Sequence, residues 1–219
     1  MASLEDIEFA ENPEPRCPCV LLLDTSGSMS GLPIDALNTG LQTFKSNLAN
    51  DSLASRRVEV AIVTFDSTVE VVQDFVTADQ FNPPRLVTGG STSMAEGINK
   101  SLDLIDARKA QYRNNGVSYY RPWVFMITDG APTDEAVLIQ QAAQRVKDAE
   151  RNKRVAFFAV GVEGADLGRL KEFSDRAPLK LAGLNFQELF VWLSASMQRV
   201  SQSKPDEQVA LPPPGWAAV

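Results

Sequence analysis

The residues that could do chemistry in this chain are oxygen donors in three short segments. The first segment, DTSGSM, begins at Asp24 and places the hydroxyls of Ser26 and Ser28 at alternate positions. The second segment, TGGSTSM, contains Thr92, and the third, TDG, contains Asp129. Carboxylate and hydroxyl oxygens are the ligands that a hard cation such as Mg²⁺ prefers. The three segments therefore predict one divalent-cation site if the fold brings them together.

Two glycines in and after the first segment bear on the shape of that site. Gly27 and Gly31 are expected to let the backbone curl tightly around the ion, in a conformation that a Cβ atom would obstruct. Without that curl, the carboxylate and the two hydroxyls would point apart.

The residue types that the sequence lacks limit the chemistry further. The sequence contains no histidine, which removes the usual general base, the partner of a nucleophilic serine or cysteine, and the imidazole metal ligand. The two cysteines, Cys17 and Cys19, are too close for an unstrained disulfide and have no third soft ligand for zinc or copper. We expect them to be reduced, and any metal ion to be held by oxygen.

The charge balance and the N-terminal residues narrow the class of partner. The chain has 21 basic and 28 acidic residues and a net charge of −7, which repels nucleic acid and anionic lipid. The first residues, MASLEDIEFAENPEP, are unlike a secretory signal, and no segment approaches the ~20 apolar residues of a membrane span. We expect a cytoplasmic protein without nucleic-acid or membrane partners.

The elements that must position the three segments alternate along the chain. Buried-strand patterns are interleaved with helical patterns in which apolar residues recur at steps of three and four. A β-hairpin is expected where VEVVQDF follows RVEVAIVTF after a short connection. We predict an α/β fold with a mostly parallel central sheet of about six strands, one antiparallel edge strand, and helices on both faces.

The position of the candidate ligands fits such a sheet. Parallel sheets place ligands outside the carboxyl ends of their strands, and Asp24 and Asp129 each follow an apolar strand pattern directly. We expect the hydroxyls of residues 91–93 to cap the helix that begins there, and Asn185 with Glu188 to form a capping box.

Other acidic residues and the C-terminus leave alternatives open. The positions of Asp66 and Asp134 leave two interpretations open. Either residue lies at the rim of a site, or it has a structural role in a loop or at the start of a helix. We divide the chain into an N-terminal extension (1–16), one domain (17–201) and a Pro-rich tail (202–219). The tail either presents LPPPGW as a polyproline segment or folds back so that Trp216 covers an apolar patch, and we favour the second.

The order Asp-x-Ser-x-Ser, then Thr, then Asp resembles the metal-ion-dependent adhesion site of the von Willebrand factor A domain family. The resemblance implies a Rossmann-like fold and a Mg²⁺, Mn²⁺ or Ca²⁺ ion. It also implies a protein-interaction module without catalysis, in which a partner's Asp or Glu carboxylate completes the coordination of the ion. The implied ligands are Asp24, Ser26, Ser28 and Thr92, directly or through water, and Asp129, usually through water.

Within that family, four segments are similar to the bacterial TerY-type proteins of tellurium-resistance gene clusters. This similarity implies an intracellular stress-response component that acts with a protein kinase and a PP2C-type phosphatase. The segments are LLLDTSGSMSGLPI, TGGSTSM, ITDGAPTDE and FQELFVWLSASMQRVS.

The alternative from another class is a Mg²⁺-dependent phosphoester hydrolase with Asp24 as its nucleophile. Haloacid-dehalogenase-type enzymes need a second Asp two residues on, where this sequence has Ser26. A dinucleotide-binding enzyme would need the G-x-G-x-x-G turn, and DTSGSMSG lacks it. We therefore expect no enzymatic activity.

Overall fold

The computed structural model describes residues 9, 11–205 and 207–218, so the remaining residues of the predicted N-terminal extension and tail lie outside the described part. The strands are β1 (Cys17–Asp24), β2 (Val58–Phe65), β3 (Val69–Thr77), β4 (Trp123–Thr128), β5 (Ala156–Gly161) and β6 (Leu179–Lys180). The helices are α1 (Leu32–Ala49), α2 (Ala54–Arg57), α3 (Met94–Asn114), α4 (Ala136–Arg151), α5 (Leu167–Phe173) and α6 (Phe186–Gln202).

The six strands form a sheet in the order β3-β2-β1-β4-β5-β6. Strand β1 lies in the middle and pairs in parallel with β2 and β4, while β3 is antiparallel to β2 at one edge. The predicted α/β architecture, with a mostly parallel sheet and an antiparallel edge strand, is confirmed. Its cause is local: β1, β2, β4 and β5 are apolar enough to be buried along their whole length, as strands covered on both faces must be.

The two faces of β1 supply separate apolar cores. Leu21 and Leu23 face the layer that contains α1 and α6, whereas Val20 and Leu22 face the layer that contains α3 and α4. None of the described helices combines the length and the apolar composition needed to traverse a lipid bilayer.

The two cysteines lie in the first of these cores and are free thiols. Burial raises the pKa of Cys19 to about 12 and raises the pKa of Cys17 well above its ordinary value. Both thiols therefore remain protonated at neutral pH, and neither forms a disulfide, as expected from the sequence.

One buried ionic cluster was not predicted from the sequence. It lies at the amino ends of the strands. The Glu59 carboxylate on β2 accepts hydrogen bonds from Arg16 Nε at 2.8 Å, Arg108 Nε at 2.9 Å, and the Tyr112 hydroxyl. Glu59, Arg16 and Tyr112 are fully buried, and Arg108 is nearly so. In the sequence, Glu59 occupies a position typical of an exposed residue on an alternating strand. The basic partners that make its burial possible lie far away along the chain.

Two predicted helix caps differ from the structure. No side-chain hydrogen bond from Ser93 or Asn185 caps α3 or α6. The amino end of α3 is instead capped by Asp134, whose carboxylate accepts from Ala95 N at 3.0 Å and Glu96 N at 3.3 Å. A carboxylate is a stronger acceptor than a hydroxyl beside a helix N-terminus, and the loop after β4 brings it there.

The Pro-rich tail folds back onto the domain, which was the favoured alternative. Trp216 is buried against Trp192 of α6, with ring centroids 5.6 Å apart. The Trp192 Nε1 group donates to the Pro212 carbonyl at 2.8 Å, and Ala217 forms an antiparallel bridge with Leu181 just after β6.

Helices α1 and α6 approach each other closely at Gly40. A Cβ atom there would lie 2.5 Å from Phe190 Cδ2 and 3.1 Å from Phe186 Cβ. We expect Gly40→Val to lower the free energy of unfolding by about 2–3 kcal/mol, because overpacking a well-filled core costs about that much. Urea unfolding will measure this loss. The same side chain at exposed Gln42 on α1 is the control and should change stability by less than about 0.5 kcal/mol. Equal effects of both substitutions would contradict the steric argument.

Candidate metal centre

The centre of the candidate site is Asp24, the last residue of β1. Leu23 is in register with Ile127 of β4, so that Asp24 and Thr128 end neighbouring parallel strands side by side. The Asp24 carboxylate is fully buried. Its Oδ1 accepts from Ser26 N at 2.8 Å, and its Oδ2 accepts from the Thr128 hydroxyl. Thr128 is a second contact of this carboxylate that was not predicted.

The turn after β1 carries the two serines toward the third segment. Ser26 Oγ lies 3.1 Å from Ser28 Oγ, and Ser28 Oγ donates to Asp129 Oδ1 at 2.7 Å. Ser26 is buried, Ser28 is exposed and Asp129 is partly exposed. Asp24, the two serines and Asp129 therefore form a connected series that leads from the core to the surface.

The second segment is joined to the first through backbone hydrogen bonds. Gly27 N donates to Gly90 O at 3.1 Å, and Gly89 N donates to Thr25 O at 2.8 Å. Gly90 has a φ of +71°, and a Cβ atom there would lie 2.3 Å from Ser67 Oγ and 2.9 Å from Ser67 N. Only glycine combines a readily adopted positive φ with the absence of a Cβ atom that would clash with Ser67, so Gly90 is required for the path of this loop.

Thr92 is the hydroxyl residue of that loop that reaches the site. A Cβ atom at Gly130 would lie 3.4 Å from Thr92 Oγ1 and 3.8 Å from Asp24 Oδ2, so both oxygens border the same small space. Thr92 is buried, and its backbone exchanges hydrogen bonds with Thr133 at 3.0 and 3.1 Å. Its neighbour Ser91 is exposed and bonds to Ser67 instead.

The expectation for the two glycines holds at one position only. Gly31 has a φ of +79°, which glycine adopts readily. Gly27 is not among the residues with positive φ, and a Cβ atom there would lie 3.5 Å from Gly90 O, an ordinary contact. The predicted need for glycine at Gly27 is therefore wrong, because the turn bends as a short 3₁₀ helix over Gly27–Met29.

The two acidic residues left open by the sequence serve as local structural groups. Asp66 Oδ1 accepts from Thr68 N at 2.9 Å and so closes the turn between β2 and β3. Its Oδ2 receives a hydrogen bond of 3.3 Å from Thr25 Oγ1, beside the site. Asp134 caps α3, as described above.

The electrostatics of the site are dominated by the buried carboxylate of Asp24. Burial, and to a lesser extent the nearby Asp129, raise the pKa of Asp24, while hydrogen bonds from Ser26 and Thr128 oppose that rise. Among the described residues, no basic side chain forms an ion pair with Asp24. No group of three or more Asp, Glu, Cys or His suited to a metal occurs there either, so the remaining oxygen donors beside Asp24 and Asp129 are hydroxyls. This all-oxygen set fits Mg²⁺ or Mn²⁺.

The raised pKa of Asp24 leads to a stability prediction. A carboxyl whose pKa is higher in the folded state stabilises the fold at low pH, and that stability is lost as the pH rises through the folded pKa. We therefore expect Asp24→Asn, without divalent ions, to raise the melting temperature at neutral pH. The difference should vanish under acid conditions, where the carboxyl is protonated. Calorimetric melting at both pH values will measure it, and a lower melting temperature at neutral pH would contradict it.

Comparison with known proteins shows which family and fold the chain resembles. The model of the von Willebrand factor type A domain matches residues 19–187. A von Willebrand factor type A protein from Catenulispora acidiphila is similar in structure (TM-score 0.65, 16% identity, 84% of this chain and 43% of that one). So is the pilus adhesin SpaC from Lactobacillus rhamnosus GG (TM-score 0.66, 14% identity, 85% and 30%).

A third similar structure is the ArnB paralog VWA2 from Sulfolobus acidocaldarius (TM-score 0.56, 16% identity, 83% of this chain and 45% of that one). The chain thus spans less than half the length of each of these three structures. No match was found among curated protein sequences.

Proposed function

Since the chain belongs to the von Willebrand factor type A domain family, we propose that its carboxyl-edge site binds a divalent cation that joins the protein to a partner. Domains of this family are commonly protein-interaction modules. Two of the similar structures are pilus proteins, an adhesin and a minor pilin, which supports an interaction role.

One observation carries the proposal: a fully buried carboxylate, Asp24, lies beside a second acid and several hydroxyls without a basic partner among the described residues. Burying an unpaired carboxylate is costly, and a divalent cation offsets that cost. Asp24, Ser26, Ser28 and Thr92 would hold the ion directly or through water, and Asp129 through water.

The ion would supply an open coordination position for an Asp or Glu carboxylate of the partner protein. A partner's carboxylate could reach the site from the surface, because Ser28 is exposed and Asp129 is partly exposed. The ligand set contains only two carboxylates, so the ion keeps enough positive charge to attract a third from the partner.

The wider context of the proposal rests on the four segments similar to TerY-type proteins. We propose a cytoplasmic component of a bacterial tellurite and stress-resistance system, with a protein kinase and a PP2C-type phosphatase as partners. The alternative of phosphoester hydrolysis has no supporting observation, because Ser26 stands where a haloacid-dehalogenase-type enzyme needs a second Asp.

A capture experiment tests the proposal. The immobilised chain of residues 1–219 should retain its main partner from a lysate of the source cell in millimolar Mg²⁺, and should lose it in EDTA. Adding Mg²⁺ back after EDTA should restore the binding. Retention of the same partner throughout EDTA treatment would contradict a cation-bridged contact. Mass spectrometry of the captured protein will show whether it is a kinase or a phosphatase.

A further inference from the structure

A cavity of about 680 Å³ lies at the amino ends of the strands, opposite the candidate cation site at their carboxyl ends. Trp123 and Ala156, the first residues of β4 and β5, line it. The cavity is therefore at the amino ends of the strands, whereas Asp24 and Asp129 lie at the carboxyl ends. Val200 near the end of α6 and tail residues 207–209 and 211 form another part of its wall.

Two aromatic side chains, Trp123 and Phe158, are among the residues that line the cavity. The rings of Trp123 and Phe158 have centroids 4.8 Å apart, and both side chains belong to the core. Val209 and Leu211 of the tail add apolar surface from the other side. This lining suits a flat apolar group, because aromatic side chains bind one another and aromatic ligands through offset or edge contacts.

Three basic side chains also line the cavity. The Arg176 guanidinium lies 4.6 Å from the centroid of the Phe158 ring. Arg121 is held in place by hydrogen bonds to Val155 O at 2.7 Å and Glu150 O at 3.1 Å. Lys153 is exposed and has a φ of +54°, at the turn that precedes β5. Burial lowers the pKa of Arg121; the charge of Glu150 opposes that fall, and the charge of Arg176 adds to it.

The acidic groups near the cavity already accept hydrogen bonds from other groups of the protein. Glu150 lies 3.8 Å from Arg176, but its Oε1 accepts from Phe157 N at 3.2 Å and its Oε2 accepts from the Ser174 hydroxyl. Glu207 Oε2 accepts from Lys204 N at 2.9 Å. Basic groups therefore exceed the described acidic groups here, although the whole chain carries a net charge of −7.

We propose that this cavity binds a planar aromatic organic acid. Its ring would lie against Trp123 and Phe158, and its carboxylate, sulfonate or phosphate would face Arg176 and Lys153. The volume falls within the roughly 300–1,000 Å³ of small-molecule sites, which combine an apolar lining with a few polar anchors in this way. An anion placed between guanidinium and ammonium groups gains charge-assisted hydrogen bonds.

The test uses 1-anilinonaphthalene-8-sulfonate as the probe, with the folded chain of residues 1–219. We expect one saturable site by isothermal titration calorimetry, with the same affinity in Mg²⁺ and in EDTA. Lys153→Gln with Arg176→Gln should weaken binding at least about tenfold, since two charge-assisted contacts are lost. The matched control, Arg169→Gln with Lys171→Gln on α5, should leave the affinity unchanged.

Two further probes separate the contributions to binding. N-phenyl-1-naphthylamine, which lacks the sulfonate, should bind at least about tenfold more weakly, and inorganic phosphate, which lacks the rings, should not displace the dye at millimolar concentration. Equal affinity of the double variant and its control, or of the charged and uncharged dyes, would overturn the proposal. A second variant, Val209→Trp, fills the cavity without removing charge and should also reduce dye binding; unchanged binding would place the dye elsewhere.

Discussion

Replacing Glu59 with alanine will lower the free energy of unfolding by about 3–5 kcal/mol, because it leaves two buried guanidinium groups without their shared carboxylate. Arg16 is fully buried and Arg108 nearly so, and both donate to Glu59 at 2.8–2.9 Å. The Tyr112 hydroxyl loses its acceptor at the same time. For a chain of this size, the loss corresponds to a fall in melting temperature of roughly 6–20 °C.

Urea unfolding, followed by circular dichroism, will measure this effect. The control is Glu172→Ala, which removes one partner of the exposed Arg169–Glu172 pair. Exposed pairs contribute about 0–1 kcal/mol, so the control should be close to the unmodified protein. Glu59→Gln keeps the shape and one acceptor oxygen, and should fall between the two. A Glu59→Ala protein as stable as the control would show that the buried cluster contributes little to the fold.

The second large effect is on cation binding. Asp24→Ala should weaken the binding of Mg²⁺ and Mn²⁺ by more than about 100-fold, because even groups that only orient a metal ligand contribute 10–100-fold. The substitution removes the acceptor of both Ser26 N and the Thr128 hydroxyl. It therefore removes a ligand and also loosens the turn that carries the two serines.

Isothermal titration of both variants with each ion will test this expectation. Asp35→Ala is the control, because Asp35 is an exposed acid in the first turn of α1, paired with Arg85 across the surface. It removes the same charge from the same side of the molecule without touching the candidate ligands. If the unmodified protein takes up no divalent ion, or if Asp24→Ala binds as tightly as Asp35→Ala, the assignment of the metal ligands fails.

The order of elements could be predicted because its causes are local. The continuous apolar run that ends at Asp24, the helical spacing after Pro33 and the hairpin around Asp66 each depend on neighbouring residues. The structure brings Asp24, Ser26, Ser28, Thr92 and Asp129 to one edge of the sheet, as parallel strands require. That these residues bind a cation stays a prediction.

The errors at Ser93, Asn185 and Gly27 have a common cause. Each prediction assigned a role from a local pattern, which distant contacts and the actual backbone path did not follow. The amides at the start of α3 bond to Asp134, which is 39 and 38 residues away from Ala95 and Glu96 along the chain. The turn at Gly27 bends without any left-handed residue until Gly31.

The sequence by itself determined which donor atoms the candidate cation site can offer and which strands end beside it, because residue type and hydrophobic periodicity are properties of short segments. Only the tertiary structure decided which distant groups meet. Thr128 reaches Asp24 through strand register, Asp134 caps α3, and Glu59 is buried because Arg16 and Arg108 come to it from opposite parts of the chain. Such contacts depend on how whole elements pack, and no short segment carries that information.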